Sequence, residues 1–381
     1  MHILTLTPFY PTAEDDASGC FIAESVSELK ACGLRTSVIA VSPIHRRRSL
    51  TPAPKAPPVR WQRYWTLPGN TGLPFSGRCL YPALRERVRI LHASSPVSVI
   101  HAHSALPGGH AAMLLARDLG IPFVVTVHGL DAFLTRQVHG WLGGRCRSIA
   151  RDVYQAARRV ICISRRVEEV IKQEMPGLAN TVVVFNGVDP CLFTSLGSEE
   201  SAMPVILSVG NLISTKGHNL LLRAIAALSQ QFEVKCEIVG EGPERRALEA
   251  LANKLGLRDR VNFLGRRGRS EVAIRMRQST LFVLPSRYEG LGCVYLEAMS
   301  TERPAIGCRG QGIEEVIRHR ENGWLVEPEN LNELRAALET LLCDRELRKK
   351  MGYQARETIL AGFTLRHQAE ALLAVYRETL A

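Results

Sequence analysis

The sequence lacks any apolar run of the roughly 20 residues that a membrane-spanning helix needs. Its first apolar segment, residues 1–7, stops at Pro8 and has neither a leading basic region nor a small-residue cleavage site. CxxC pairs are also absent, although the chain contains 10 cysteines. We therefore expect a cytoplasmic protein with no signal peptide, no membrane span, and no zinc or disulfide framework.

The composition is that of a globular protein, with 46% hydrophobic and 22% charged residues. A chain of 381 residues exceeds what one hydrophobic core usually supports, so we expect two domains. Strand-like runs alternate with helix-period stretches nearly from end to end, and this alternation predicts parallel sheets covered by helices.

Turn residues at 186–190 separate two series of these elements. We therefore predict an N-terminal domain at 1–190 and a C-terminal domain at 203–362. Between 43 and 80 the density of prolines predicts a long loop or a lid. Residues 363–380 have the apolar spacing of a terminal amphipathic helix.

Positive charge is concentrated in the first half of the chain. Positions 1–190 hold 22 basic and 13 acidic residues, whereas the remainder holds 26 and 24. The clusters Arg46 to Arg48 and Arg85, Arg87, Arg89 have no interleaved aromatic residues and no recognition-helix pattern, so a nucleic-acid partner is not expected. We favour contact with an anionic membrane surface or lipid phosphate, with a solvated face of no function as the alternative.

The most informative local pattern is a glycine-bearing turn, PSRYEGLGCVYLEAM at 285–299, which directly follows a buried strand pattern. A turn between a strand end and a helix start presents backbone N–H groups and the positive end of the helix dipole, where parallel sheets bind nucleotides. Glu289 lies in the turn and Glu297 in the helix. Carboxylates at two depths suit a ligand with hydroxyls at both ends, such as a sugar and a ribose.

This segment resembles the glutamate, seven residues, glutamate signature of the GT4 family of retaining glycosyltransferases. The resemblance implies the GT-B fold: an α/β protein of two Rossmann-like, doubly wound parallel-sheet domains with an interdomain cleft. It also implies that a C-terminal helix at about 363–381 crosses back to complete the N-terminal domain. In the family the first glutamate contacts donor-sugar hydroxyls and the second holds the nucleotide ribose, which are roles for Glu289 and Glu297.

A strand running into a glycine turn opens the second domain and extends the resemblance. In the family this turn carries an arginine and a lysine that clamp the donor diphosphate; Lys216 matches, but Asn211 stands at the arginine position. An amide loses the charge-assisted hydrogen bond of a guanidinium. Phosphate charge is then expected to rest on Lys216, on a further arginine, and on backbone N–H groups of Gly290, Leu291 and Gly292.

Two segments of the first half also resemble the family. Gly19 lies in SGCFI at 18–22, similar to the first strand-to-helix loop, where a glycine lets the backbone approach phosphate; a simple turn glycine is the alternative. His128 lies in TVHG at 126–129, similar to the histidine-glycine segment that lines the reaction centre. The resemblance implies that His128 contacts the donor sugar near the bond that breaks.

A metal site would be the other interpretation of the histidines in this half. His101 and His103 are alternate residues of one strand, with His110 nearby. Metal-dependent hydrolases need further aspartates or histidines close by, and none is near in the sequence. We therefore predict no metal site.

Together these features predict a metal-independent retaining glycosyltransferase that uses a UDP- or GDP-sugar, with no other cofactor. His128, Lys216 and Glu289 are its predicted catalytic residues. The resemblance implies a role in bacterial surface polysaccharide assembly. The basic first half favours peripheral contact with the inner face of the membrane, where the enzyme would reach a saccharide or lipid-linked acceptor. A nucleotide-sugar 2-epimerase and a non-catalytic nucleotide-sugar-binding protein remain as alternatives, the latter favoured by Asn211.

Overall fold

The computed structural model describes most of the chain. The described residues are 1–46, 50–54, 56–129, 138, 140–196 and 203–381, with only the backbone at 69–70. Arg47 and Arg48 of the basic cluster lie outside this set. Residues 130–137, which follow the histidine-glycine segment, also lie outside it. The chain divides into an N-terminal unit, Met1–Phe185 with Leu365–Ala381, and a C-terminal unit, Asn186–Thr364.

The strands alternate with helices along the chain, as the sequence predicts. The strands are β1 His2–Thr7, β2 Arg35–Pro43, β3 Val59–Tyr64, β4 Val99–His103, β5 Phe123–Val127, β6 Arg159–Cys162, β7 Thr181–Val183, β8 Val205–Val209, β9 Lys235–Val239, β10 Val261–Gly265, β11 Leu281–Val283, β12 Ala305–Cys308 and β13 Trp324–Val326. The helices are α1 Cys20–Ala31, α2 Leu73–Ser94, α3 His110–Leu119, α4 Gly140–Ala156, α5 Arg165–Glu174, α6 His218–Leu228, α7 Arg245–Lys254, α8 Arg269–Gln278, α9 Cys293–Ser300, α10 Leu331–Cys343, α11 Arg345–Gly362 and α12 Leu365–Leu380. Among the helices described, none is both long enough and apolar enough to cross a bilayer.

Each unit is built on one parallel sheet with the same strand order. In the described residues, the N-terminal sheet runs β3-β2-β1-β4-β5-β6-β7 and the C-terminal sheet runs β10-β9-β8-β11-β12-β13. In each sheet the chain first adds strands on one side of a central strand and then adds strands on its other side, which is the doubly wound Rossmann arrangement. The prediction of two Rossmann-like domains is confirmed. The reversals lie between β1 and β4 and between β8 and β11, where such sheets bind ligands.

The C-terminal helix α12 belongs to the N-terminal unit, as the resemblance implies. Its apolar face, which includes Ala369, Leu372 and Tyr376, packs with Leu29 of α1 and with inward residues of the sheet such as Val124. The C-terminal unit has its own core, in which α6, α7 and α10 pack on β8 to β13. Each unit therefore has a separate hydrophobic core.

The prediction of a continuous loop or lid over residues 43–80 is wrong. β3 pairs with β2 at the edge of the N-terminal sheet, and α2 begins at Leu73. The prolines of this stretch lie outside β3, and Pro74 lies in the first turn of α2, where its missing N–H would have had no helical acceptor. A high density of prolines therefore does not exclude a strand or a helix here.

Candidate functional site

The loops that follow β8 and β11 lie against each other at the switch point of the C-terminal sheet. After β8 the chain forms a short 3-10 turn, Ser214–Lys216, and Gly217 then leads into α6 with a φ of 71°. A Cβ on Gly217 would lie 2.0 Å from the carbonyl oxygen of Pro285, so only glycine allows this approach. The backbone N–H of Arg287 donates to the Thr215 carbonyl at 2.8 Å. The two loops therefore form one surface.

Lys216 and Glu289 meet on this surface. The Lys216 ammonium Nζ donates a hydrogen bond to Oε2 of Glu289. The two side chains are only 18% and 14% exposed, so water and salt screen their attraction less than at an open surface. The structure thus brings together two residues that the sequence predicts to share one ligand, although 73 positions separate them.

The loop after β12 supports the turn that carries Glu289. The side-chain oxygen of Gln311 accepts the backbone N–H of Glu289 at 2.9 Å, and the N–H of Gly312 donates to the Glu289 carbonyl at 3.1 Å. A Cβ on Gly312 would lie 1.8 Å from the Gly290 carbonyl oxygen. Both backbone groups of Glu289 are therefore held from one side, which orients its side chain.

The helix after this turn begins at the same edge of the sheet. Gly292, with a φ of 81°, precedes the first residue of α9. The hydroxyl of Tyr295 donates to the Leu284 carbonyl and anchors the helix to the end of β11. Burial, followed by the charge of Glu289, raises the pKa of Tyr295, so the hydroxyl keeps its proton. The first backbone N–H groups of α9 have no acceptor within the helix, and they carry its partial positive charge.

Glu297 lies one turn into α9 and is almost completely buried, with 4% of its side chain exposed. It forms an ion pair with Arg269, the first residue of α8, whose Nη1 donates to Oε1. The guanidinium carbon of Arg269 also lies 4.7 Å from the ring centroid of Phe193. Arg269 therefore supplies the cation that neutralises Glu297 inside the protein.

Asn211 lies two residues beyond β8, and it is exposed. Its carbonyl accepts the N–H of Ile213 at 2.9 Å.

His218, at the start of α6, is buried; burial and the charge of Lys216 lower its pKa to about 4. His218 is therefore neutral at physiological pH and adds no positive charge for phosphate.

Gly19 ends the loop after β1 in the N-terminal unit, with a φ of 75°. A Cβ at this position would lie 2.5 Å from the carbonyl carbon of Phe9, so the glycine lets the loop fold onto its own backbone. Loop packing explains why glycine is required there. Its contact with phosphate stays a prediction.

Three histidines form a connected group at the carboxyl ends of β4 and β5. The Nδ1 atom of His103 lies 3.0 Å from Nε2 of His128, and the two rings stack with centroids 5.2 Å apart. The ring of His101 stacks on that of His103 with centroids 4.4 Å apart. It is held by hydrogen bonds to the Tyr376 hydroxyl at 2.6 Å and to the Thr126 hydroxyl at 2.7 Å. His128 is thus oriented by His103.

Burial lowers the pKa of all three rings. It lowers the pKa of His101 to about 3 and that of His128 to about 4, and it lowers the pKa of His103 well below its usual range. All three are therefore neutral at physiological pH, so His128 can exchange hydrogen bonds but does not act as a cation. Within the described parts of the chain, no three histidine, cysteine or acidic side chains are grouped so as to hold a metal ion.

Two family sequence models match the chain and together span most of it. The model for Glycosyltransferase Family 4 matches residues 21–191, and the model for Glycosyl transferases group 1 matches residues 198–358. An uncharacterized glycosyltransferase of Methanocaldococcus jannaschii is 30% identical over 265 residues, which are 69% of this chain and 71% of that protein. The chain belongs to the family 4 glycosyltransferases.

Solved structures agree with the fold of this family 4 glycosyltransferase. Sucrose-phosphate synthase from Thermosynechococcus elongatus superposes with a TM-score of 0.80 at 22% identity, over 99% of both chains. Anabaena HepE, solved in complex with UDP and glucose, gives a TM-score of 0.77 at 20% identity, over 98% of this chain and 99% of that one. The prediction of a GT-B fold is confirmed.

The buried histidines make the N-terminal unit of this glycosyltransferase sensitive to acid. In the unfolded chain His101 and His103 return to a pKa of about 6.5, so below that pH the unfolded state binds protons that the folded state does not. The contribution of the neutral histidines to the free energy of unfolding is therefore fully present above pH 6.5. It falls as the pH drops towards 4, by up to about 1.4 kcal/mol per pH unit for each histidine. We expect the urea midpoint of the unit to fall between pH 7 and 5, and less so in His101→Gln. A midpoint independent of pH in this window would contradict the assignment.

Sequence reasoning missed several residues that contact the predicted site residues. The sequence predicts a further arginine but does not identify it as Arg269. A local signal exists, because Arg269 follows β10 in a basic run, RRGR at 266–269, near the carboxyl end of a strand. Gln311 lies between two glycines after β12, a local signal for a loop at a sheet edge. The sequence suggests only a metal-ligand role for His103, and the structure pairs it with His128.

Proposed function

We propose that this glycosyltransferase takes its sugar from a nucleoside diphosphate donor, UDP- or GDP-linked, bound at the switch point of the C-terminal sheet. The observation that carries the proposal is the pairing of Lys216 with Glu289 beside the N-terminus of α9. Cationic, anionic and N–H groups at one sheet edge fit a ligand that combines phosphates with sugar hydroxyls. The UDP and glucose in the HepE complex support the same donor class.

Each side chain then has a distinct role. An ammonium group has three N–H donors, so Lys216 can keep its bond to Glu289 and still donate to the diphosphate. Glu289 accepts hydroxyls of the donor sugar, with its backbone held by Gln311 and Gly312. Glu297 accepts ribose hydroxyls, and Arg269 positions it. The backbone N–H groups from Gly290 to Gly292 and the first turn of α9 face the phosphates.

Catalysis in this proposal rests on stabilising the charge of the departing diphosphate. Lys216 and the N-terminus of α9 supply fixed positive charge where negative charge develops, which replaces the need for a metal ion. The acceptor attacks the face from which the diphosphate leaves, and the leaving phosphate takes the proton of the attacking hydroxyl. The glycosidic carbon therefore keeps its configuration. His128 binds the sugar as a neutral hydrogen-bonding group.

The acceptor in this proposal is a saccharide or a lipid-linked saccharide bound by the N-terminal unit. Basic residues exceed acidic ones by nine over positions 1–190, which favours acceptors or surfaces that carry negative charge. Assembly of a bacterial surface polysaccharide, in the cytoplasm and at the inner face of the membrane, fits such an acceptor.

The proposal is tested by donor binding followed by turnover. Thermal unfolding of the purified protein is first measured with UDP, GDP and ADP; a ligand at about 100 times its Kd stabilises by roughly 2.7 kcal/mol and raises the transition temperature. The matching sugar donor is then incubated with acceptor in EDTA, and the anomeric configuration of the product is read by NMR. We expect turnover with retention. Failure of all three nucleotides to stabilise the protein, isomerisation of the donor without acceptor, or loss of turnover in EDTA that magnesium restores would each contradict a part of the proposal.

A further inference from the structure

A second candidate site lies in the N-terminal unit, in a cavity of about 510 Å³ between α2, α3 and α4. These helices cover the sheet face opposite to α12. Val125 of β5 and Val153 of α4 both lie next to Gly109, since a Cβ on Gly109 would contact both side chains. Val124, the residue of β5 that precedes Val125, packs with α12 instead. Successive strand residues point to opposite faces, so the cavity is separated from the α12 face by the sheet.

The wall of the cavity carries an excess of positive charge. Arg78 of α2, Arg117 of α3 and Arg145 of α4 line it, and Asp152 is the acidic residue among its lining residues. None of these three guanidinium groups forms an ion pair or a hydrogen bond with another group that the structure describes. The same helices pair other arginines, such as Arg85 with Asp118 at 2.6 Å. The excess of two positive charges around the cavity is therefore not neutralised by nearby acids.

A buried histidine adds a directional group to this wall. His110 is 4% exposed, and its ring lies against Gly77, where an added Cβ would be 2.7 Å from Nδ1. No described group forms a hydrogen bond with that Nδ1. An unpartnered buried N–H is costly, so the neutral ring carries its proton on Nε2, and His110 can donate from that atom. Burial, then the charge of Arg78, lowers the pKa of His110 to about 4 and keeps the ring neutral.

We propose that this cavity binds a phosphate group of a molecule other than the nucleotide donor. Guanidinium groups match phosphate oxygens in pairs, and three helices here contribute one guanidinium each. The volume exceeds that of a phosphate, and Phe75, which is 43% exposed, lines the same cavity and offers an apolar contact for an organic portion. The phosphate belongs either to a soluble phosphorylated compound or to a lipid headgroup.

The test uses the full chain with Lys216→Ala, so that the proposed donor site does not compete for phosphate. Calorimetry with glycerol 3-phosphate measures the soluble source, and cosedimentation with phosphatidylglycerol vesicles, against phosphatidylcholine vesicles, measures the lipid source. Arg78→Glu and Arg145→Glu are added in turn. The control is Arg147→Glu, an exposed arginine of α4, the helix that carries Arg145, and this residue does not line the cavity.

We expect one of the two probes to bind, and each cavity variant to weaken that binding at least tenfold, while Arg147→Glu changes it less than twofold. Binding of glycerol 3-phosphate identifies a soluble ligand, and binding of phosphatidylglycerol vesicles alone identifies a headgroup. Raising the salt concentration should weaken both modes because the arginines are exposed. Absence of binding by both probes, or an equal loss in Arg147→Glu, would overturn the proposal. Both outcomes are independent of donor turnover, because every protein in this test carries Lys216→Ala.

Discussion

Replacing Lys216 with alanine is expected to lower kcat/KM by about 10²–10³-fold, the range found when one preorganised donor to a developing negative charge is removed. Lys216 is the side-chain cation that pairs with Glu289 on the surface formed by the loops after β8 and β11. The effect should appear in kcat, because the diphosphate gains charge as it departs. The measurement is release of nucleoside diphosphate over a range of donor concentrations, which gives kcat and KM separately.

The matched control for this prediction is Lys254→Ala, which removes an exposed lysine of α7 in the same unit. That variant should keep kcat/KM within about twofold, as expected for a surface change far from the loops. Circular dichroism of both variants should match that of the parent protein. A Lys216→Ala enzyme with unchanged turnover would remove Lys216 from the catalytic residues.

The second large effect is expected for Arg269→Ala, and it concerns stability. The change leaves the Glu297 carboxylate, with 4% of its side chain exposed, without its cation. Breaking a buried ion pair on one side costs about 3–5 kcal/mol. In a unit of this size, such a loss lowers the thermal transition of the C-terminal unit by roughly 10 °C. Calorimetry measures the thermal transition of this unit. Donor binding should also weaken in the Arg269→Ala variant.

Two further variants separate stability from function. Arg269→Ala combined with Glu297→Gln removes the uncompensated charge, so stability should recover in part while donor binding remains weak. Arg318→Ala, which breaks an exposed ion pair with Glu321, should cost less than about 1 kcal/mol. A thermal shift for Arg269→Ala no larger than that for Arg318→Ala would contradict the role given to the buried pair.

The periodicity of the sequence is sufficient to predict both Rossmann-like units, because their central strands are short, mainly apolar and buried. Strand β1, for example, is buried along its whole length. β3 escapes prediction because it lies at the edge of the sheet. Its residues, Val59–Tyr64, are exposed or partly buried apart from Tyr64 and include two arginines, so no apolar run marks the strand.

The site is predictable where its residues lie in one motif, and less so where they meet through the strand order. Glu289 and Glu297 share a single turn and helix, so their spacing indicates a ligand. Arg269 meets Glu297 across 28 positions, and the histidine group is anchored through Tyr376, which is 275 positions from His101. Such pairs depend on which strands are neighbours, and a local pattern carries no information about that.

One nucleoside diphosphate sugar is expected to bind to Lys216, Glu289 and Glu297, and a crystal structure of the enzyme with UDP tests this most directly. We predict diphosphate oxygens at about 3 Å from Nζ of Lys216 and from the N–H groups at the start of α9, with ribose hydroxyls on Glu297. A nucleotide bound elsewhere, with Lys216 still bonded to Glu289 alone, would contradict the account.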